Sequence, residues 1–292
     1  AYHMTTATID EAVRRLVAVG GDPAHIGGVD NFCWPNIQYD PCGNPDGKFK
    51  AAQLVRSCRA LYDSCMACEI PLLSGKDSMY VDGHLPGKYG ETHKISALGT
   101  LQFSATGVVE EVTRCVTMDA KQPGDLVYVL GKTANELGGS EYYERFGYVG
   151  RNVPRTDFDG LMPMYRSLHE AIQRELLHSV HGIYRGGLGV HLALSAMAGE
   201  LGISADLEKV PADTPLRADQ LLFSESTGRF IVSLPPENRK DFEALFDSDC
   251  LACIGKVTAE ASLDIDYGSR RLLSMPVSTL KSAWQEPFGG LI

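Results

Sequence analysis

Apolar residues recur three and four apart at Ile9, Ala12, Val13, Leu16 and Val17 until Gly20-Gly21 interrupts them. The spacing predicts a helix, and Thr8-Ile9-Asp10-Glu11 reads as the capping box that starts it. A second helix is predicted from Phe49 to Cys68, where Ala51, Leu54, Val55, Cys58, Leu61, Tyr62 and Cys65 form one apolar stripe. Between them, Asp30-Asn31 and its neighbours read as an irregular segment, and the Pro-, Gly-, Asn- and Asp-rich stretch to about Lys48 reads as loop. A short strand is expected at Ile70–Leu73, running into a glycine turn at Ser74-Gly75-Lys76-Asp77-Ser78, with another strand within 95–109. Pro123-Gly124-Asp125 then introduces a buried-strand run at Leu126–Gly131. Helices follow at about 161–178, 188–199 and 236–247, with strands at 230–234 and 251–257 and a last short strand at 263–267. Strands and helices interleave without a strict βαβ rhythm, which favours an α+β class. The domain boundary falls near residue 120, giving units 1–120 and 121–292.

Composition narrows the function classes. The chain has 292 residues, 44% hydrophobic and 22% charged, values typical of folded globular chains rather than disordered ones. No run approaches the roughly 20 apolar residues of a membrane-spanning helix. With 27 Lys and Arg against 37 Asp and Glu, the net charge is −10, which counts against a general nucleic-acid binder. The eight cysteines, in a chain of this size without a secretory leader, read as reduced cytosolic thiols. The abrupt opening Ala1-Tyr2-His3-Met4, without an initiator Met, suggests a piece of a longer chain.

Several segments offer chemistry with two readings each. Ser74–Ser78 fails the P-loop pattern, which would need glycine at Ile70 and Ser or Thr at Asp77. It remains either a polyphosphate contact built from a glycine turn and an ammonium, or a polar turn. Gly186-Gly187-Leu188-Gly189 lacks a third fingerprint glycine at Leu192. It is a glycine-lined helix N-terminus suited to a phosphate, or a site of close helix–strand packing. Asp30 could hold Mg²⁺ or a nucleotide sugar, or form an Asx turn, and Ser224–Arg229 is equally open. Cys65-x-x-Cys68 and Cys250-x-x-Cys253 have metal-ligand spacing, yet Cys58 and Cys65 fall on the apolar stripe and the second pair begins a strand, so core packing is preferred to zinc. His178 and His181 read as packing or surface residues.

Five motifs in order carry a resemblance: Asp30-Asn31-Phe32-Cys33-Trp34-Pro35, Ser74-Gly75-Lys76-Asp77-Ser78-Met79, Glu136-Leu137-Gly138-Gly139-Ser140-Glu141-Tyr142, Gly186-Gly187-Leu188-Gly189 and Phe223-Ser224-Glu225-Ser226. Across essentially the whole length, the chain resembles the C-terminal half of the phosphoribosylformylglycinamidine synthase family, within the aminoimidazole-ribonucleotide-synthase-like superfamily. The resemblance implies an N-terminal half-barrel-forming α/β domain and a C-terminal α/β domain. It implies ATP-dependent amidation of formylglycinamide ribonucleotide with glutamine-derived ammonia, in the cytoplasm, with ATP and Mg²⁺ as cofactors. The implied partners are a glutaminase subunit or domain, a small accessory subunit and the chain's own N-terminal half, with a homodimer of the fragment as a further expectation. Neither nucleic acid nor membrane is expected.

Position by position, Asp30 and Gly75 match nucleotide-binding positions and Ser78 a substrate-phosphate position. Lys76 stands where many relatives have a magnesium-holding Asn, and a protonated ammonium cannot ligate a metal. It is expected on the nucleotide phosphates instead, and the metal ligands stay unknown. Arg185 departs likewise from a common Asp. The family's catalytic His lies in the N-terminal half, so the catalytic residues are unknown and this chain alone is expected to be incomplete for turnover. Two other readings stand: an auxiliary nucleotide-binding module without turnover, or another ATP-using enzyme of the superfamily.

Overall fold

The computed structural model describes residues 1–289. Helix α1 (Tyr2–Ala18) is followed by strand β1 (Ile26–Cys33), helix α2 (Gly47–Ala67) and strands β2 (Leu72–Ser78), β3 (Asp82–Pro86), β4 (Thr92–Ser96) and β5 (Thr100–Gly107). Then come β6 (Leu126–Leu130), α3 (Glu141–Arg145), α4 (Phe158–Gln173), β7 (Ser179–Gly182), α5 (Gly187–Gly199) and β8 (Gly202–Asp206). The chain continues through α6 (Ala218–Phe223), β9 (Phe230–Leu234), α7 (Arg239–Glu243), β10 (Leu251–Thr258), β11 (Ser262–Tyr267), β12 (Arg270–Pro276) and α8 (Val277–Gln285). Three sheets result, in the orders β2-β1-β5, β3-β4 and β12-β11-β8-β10-β6-β9-β7. This is the expected mixed α+β class, and the described residues contain no closed barrel.

The period of two in the strands explains how the large sheet serves two cores. Tyr128 and Leu130 of β6, with Phe230, Val232 and Leu234 of β9, point into one apolar cluster; Val127, Val129 and Ile231 point into another. The first cluster also takes Ile9, Val13 and Val17 of α1, Phe32, Leu101 and Phe103 of the small sheet, and Tyr165, Leu168 and Ile172 of α4. The small sheet and the large one therefore share a core across residue 120. The second cluster lies under α5 and α8, with Leu188, Leu192, Ala196 and Val277.

Charges cross that shared core. Asp10 and Arg14 are 0% and 3% exposed and pair at 2.6 Å. Tyr165 donates its hydroxyl to Asp10, and the Gly228 N–H reaches the same carboxylate at 3.3 Å. Arg14 donates to the carbonyls of Ile183 at 2.5 Å and Arg229 at 3.3 Å. Arg229, fully buried, donates to the carbonyls of Ser226 and Ser224 at 3.0 and 2.5 Å and to the Thr133 hydroxyl at 2.8 Å. Buried charge is tolerated here because each group is paired or hydrogen-bonded.

Several local expectations are corrected. Helix α1 begins at Tyr2, and Thr8 donates back to the Met4 carbonyl at 2.9 Å instead of capping. Asp30 lies in a strand, because β1 pairs with β2 and β5 although a carboxylate breaks its apolar alternation. Ser74–Ser78 likewise forms most of β2 rather than a turn. On α2 the buried face is Ser57, Ala60, Leu61, Ser64 and Cys65, so Val55, Cys58 and Tyr62 of the predicted stripe are exposed. The strand expected within 95–109 is β5, and β4 before it is an addition, while the 236–247 helix shrinks to a 3₁₀ turn plus α7. Helix α4 stops at Gln173, and β7, β12 and α8 add to the expected elements.

Replacing Arg14 by Leu strands the Asp10 carboxylate in the core and is expected to lower unfolding free energy by about 3–5 kcal/mol. Arg15→Ala, which breaks an exposed pair with Glu11, is expected to cost less than about 1 kcal/mol. Urea unfolding followed by circular dichroism compares the two.

Candidate functional site

The parallel register of β1 and β2 pairs Asp30 with Gly75, Asn31 with Lys76, Phe32 with Asp77 and Cys33 with Ser78. Paired residues share a face of the sheet, so the expected contact residues divide. Asp30 and Gly75 lie on the core side of the sheet with Phe32 and Phe103, Asp30 half-buried and Gly75 exposed at the edge strand. A Cβ at Gly75 would stand 2.8 Å from Asp30 Oδ1, so the missing side chain is what lets the carboxylate lie over β2. Burial pushes the Cys65 thiol up to about 11 with the Asp30 charge adding, and the partial desolvation of the exposed Cys58, with the Asp77 and Asp30 charges, raises its thiol as well.

Lys76 and Ser78 are on the opposite, open face, where the Lys76 ammonium donates to the Ser78 hydroxyl. That face continues onto β5 with exposed Thr100, Gln102, Ser104 and Thr106. Because β2 is an edge strand, a ligand laid along its free edge can meet both sets of residues.

At the second glycine motif, Gly186 and Gly187 adopt φ of +90° and +70°, conformations that glycine enters without steric penalty. A Cβ on Gly187 would stand 2.6 Å from the Leu222 carbonyl oxygen, so close packing against α6 is built into the turn. The N-terminus of α5 already meets an anion: Glu225 Oε1 accepts the N–H groups of Gly186 and Glu141, both at 2.9 Å. Burial raises the Glu225 carboxyl above its ordinary range despite the Gly186 N–H bond. Arg185 pairs with Glu141 at the surface.

Behind this turn, the Tyr184 N–H donates to His191 Nε2 at 2.9 Å, and His191 Nδ1 lies 2.8 Å from His181 Nε2. Burial holds His181 down at about 4 and His191 at about 3, with nearby Arg15 and His181 adding respectively. His181 is thus a packing residue of a buried pair, while His178 meets Asp125 at 2.8 Å. The Asp10–Arg14 pair and His191 had no motif to announce them, the i, i+4 spacing of Asp10 and Arg14 being the available signal, while Arg229 closes the polar segment Ser224–Arg229.

Among the described residues, no three His, Cys, Asp or Glu side chains converge to hold a metal ion. Cys65 and Cys68 are buried in the core; Cys250 and Cys253 are half-buried at β10, their thiols bonded to the carbonyls of Asp247 and Gly255. The ammonium of Lys76 at the strand edge does not suit a cation either.

Residues 122–268 match the model of the AIR synthase related protein family, C-terminal domain, which is half of the chain. The chain belongs to that family. It is 32% identical over 284 residues to the phosphoribosylformylglycinamidine synthase subunit PurL of Thermococcus sibiricus, covering 97% of this chain and 36% of the relative. The PurL of Thermococcus kodakarensis is 33% identical over 285 residues, covering 96% and 36%. The chain thus spans about a third of the length of these curated relatives. Among solved structures, T. maritima PurL complexed with FGAR superposes with a TM-score of 0.72 at 16% identity, covering 96% of this chain and 43% of that one. The hydrogenase maturation protein HypE in complex with ATP gives 0.63 at 15% identity, covering 93% and 79%.

The histidine pair sets a pH dependence. Both folded-state values lie below the ordinary 6.5, so the unfolded chain binds more protons as pH falls from 6.5. Stability from these groups is complete above that value and declines towards pH 4. Between pH 6.5 and 5, the unfolding free energy is expected to fall, with a shallower slope in His191→Gln, as measured by urea titration at each pH.

Proposed function

We propose that this chain is the C-terminal portion of an ATP-dependent carbon–nitrogen ligase that amidates formylglycinamide ribonucleotide, of the phosphoribosylformylglycinamidine synthase type. The observation carrying this reading is the β1–β2 register, which sets Asp30 against Gly75 and brings Lys76 to Ser78 at a free strand edge. In this reading Asp30 and the Gly75 backbone hold the nucleotide, Lys76 neutralises phosphate charge, and Ser78 donates to the substrate phosphate. ATP phosphorylates the glycinamide carbonyl oxygen with release of ADP, and ammonia then attacks that carbon and displaces phosphate, leaving the formyl group in place. The residues of this chain position the reactants and stabilise charge, which is where most of such a rate enhancement arises. No step is assigned to a metal, since the residues at hand do not suit one.

The division into units 1–120 and 121–292 belongs to the same proposal, as do a cytoplasmic setting, a glutaminase and a small accessory partner, and a missing N-terminal portion that supplies the catalytic histidine. The similarity to a PurL complexed with FGAR and to others complexed with ATP supports the substrate assignment.

The isolated chain is expected to show no ammonia-dependent turnover, and the chain joined to an N-terminal portion of a relative to show it. In the joined protein, Asp30→Asn and Gly75→Ala are expected to lower kcat/KM for ATP at least tenfold, about 1.4 kcal/mol of transition-state stabilisation. Normal turnover by the isolated chain would sink the proposal.

A further inference from the structure

A cavity of about 290 Å³ opens beside the loop that follows α3, and all of its lining comes from residues between Asn135 and Gln220. The loop is held in place by backbone bonds. The Gly139 N–H donates to the Val149 carbonyl at 2.6 Å, the Gly138 N–H to the Asn152 carbonyl at 2.8 Å and the Tyr148 N–H to the Tyr143 carbonyl at 2.9 Å. Gly150, at a φ of +73°, brings the loop down on the Tyr143 ring, where a Cβ would stand 2.6 Å from a ring carbon. A cavity shaped by such contacts costs little ordering when a ligand arrives.

The lining is rich in donors and carries no acidic side chain. Of its two guanidiniums, Arg217 is spent on Asp219, which accepts its Nε–H and an Nη–H at 2.9 and 2.8 Å. Arg151 is exposed and pairs with no carboxylate among the described residues. In a chain of net charge −10, this leaves one uncompensated positive charge at one concavity. Gln220, 7% exposed, has its Oε1 taken by the Arg217 N–H at 2.9 Å, which leaves its amide nitrogen to donate. The carboxamides of Asn135 and Asn152 and the Tyr143 hydroxyl can each both give and take hydrogen bonds.

These groups narrow the ligand. One unpaired guanidinium calls for one negative charge, and its planar fork matches the edge of a carboxylate. A phosphate is favoured where backbone N–H groups converge, and those of Gly138 and Gly139 are already spent within the loop. Carboxamides and a phenol, which both donate and accept, match hydroxyl groups, which do the same. At about 30 Å³ for each water-sized group, the volume admits on the order of ten non-hydrogen atoms.

We propose that this cavity is a binding site for a small sugar acid, an open-chain carboxylate bearing several hydroxyls, with its carboxylate on Arg151. The site shares no residue with the Asp30, Gly75, Lys76 and Ser78 set, and it does not depend on the ligase reading.

Threonate, a sugar acid of this size, is expected to give a saturable heat when titrated into the chain in a calorimeter. Threitol, its uncharged relative, should give none. Arg151→Met, at an exposed side chain that pairs with nothing among the described residues, is expected to weaken the apparent Kd about tenfold or more. Asn152→Asp, which adds a negative charge to the lining, should do the same. Circular dichroism spectra matching the parent's establish that both variants are folded. Saturating ATP should leave the threonate affinity unchanged, which separates this site from the strand-edge site. The inference is overturned if threonate gives no heat, if either folded variant binds it equally well, if threitol or inorganic phosphate binds as tightly, or if ATP competes with it.

Discussion

The ion pair between Asp10 and Arg14 is the constraint on which the arrangement of the molecule rests. Two charges inside an apolar core are unfavourable unless their hydrogen-bonding capacity is filled, and here the partners come from distant parts of the chain. Tyr165 of α4, Gly228 before β9 and the carbonyls of Ile183 and Arg229 all converge on one turn of α1. An apolar contact of similar area would allow α1 to slide or rotate. Directional bonds to four fixed groups do not, and they set the small sheet against the large one in a single geometry. Arg229 extends the constraint by holding the 224–228 segment from beneath.

The fold was legible in the sequence wherever one physical signal dominated. Strand β9 was found at its observed limits because four apolar residues around Ser233, buried on both faces, have no other use. Helix α2 was located within two residues, but its buried face was misread. Small residues such as Ser57, Ala60 and Ser64 pack against α1, while the bulkier Val55 and Tyr62 face outward. Hydrophobicity alone does not say how closely two helices approach. Strand β1 was missed for a related reason: Asp30 occupies a core-facing position, and only pairing with both neighbours identifies the segment as a strand. The expected site residues rest on motif order, a signal of descent. Their distribution over two faces of a sheet was invisible until the register was known.

The glycine motif at 186–189 shows how two readings can both hold. The turn is packed too closely against α6 to accept any side chain at Gly187, and it also offers backbone donors to an anion. The anion in place is the chain's own Glu225, half-buried and raised towards neutrality by that burial. A helix N-terminus occupied by an internal carboxylate is already electrostatically satisfied, so an external phosphate there would have to displace Glu225 rather than fill empty space.

The open face of the small sheet bears Val29 and, beside Gly27, an exposed Leu73, but also Asn31, Lys76, Ser78, Thr100, Gln102, Ser104 and Thr106, so polar groups outnumber the apolar residues that usually seal one sheet against another. Stripping solvent from so many polar groups would leave more donors and acceptors than a flat partner could match. Whatever meets this surface will retain a layer of bridging water, and its fit will be governed by where those molecules are held rather than by interlocking side chains.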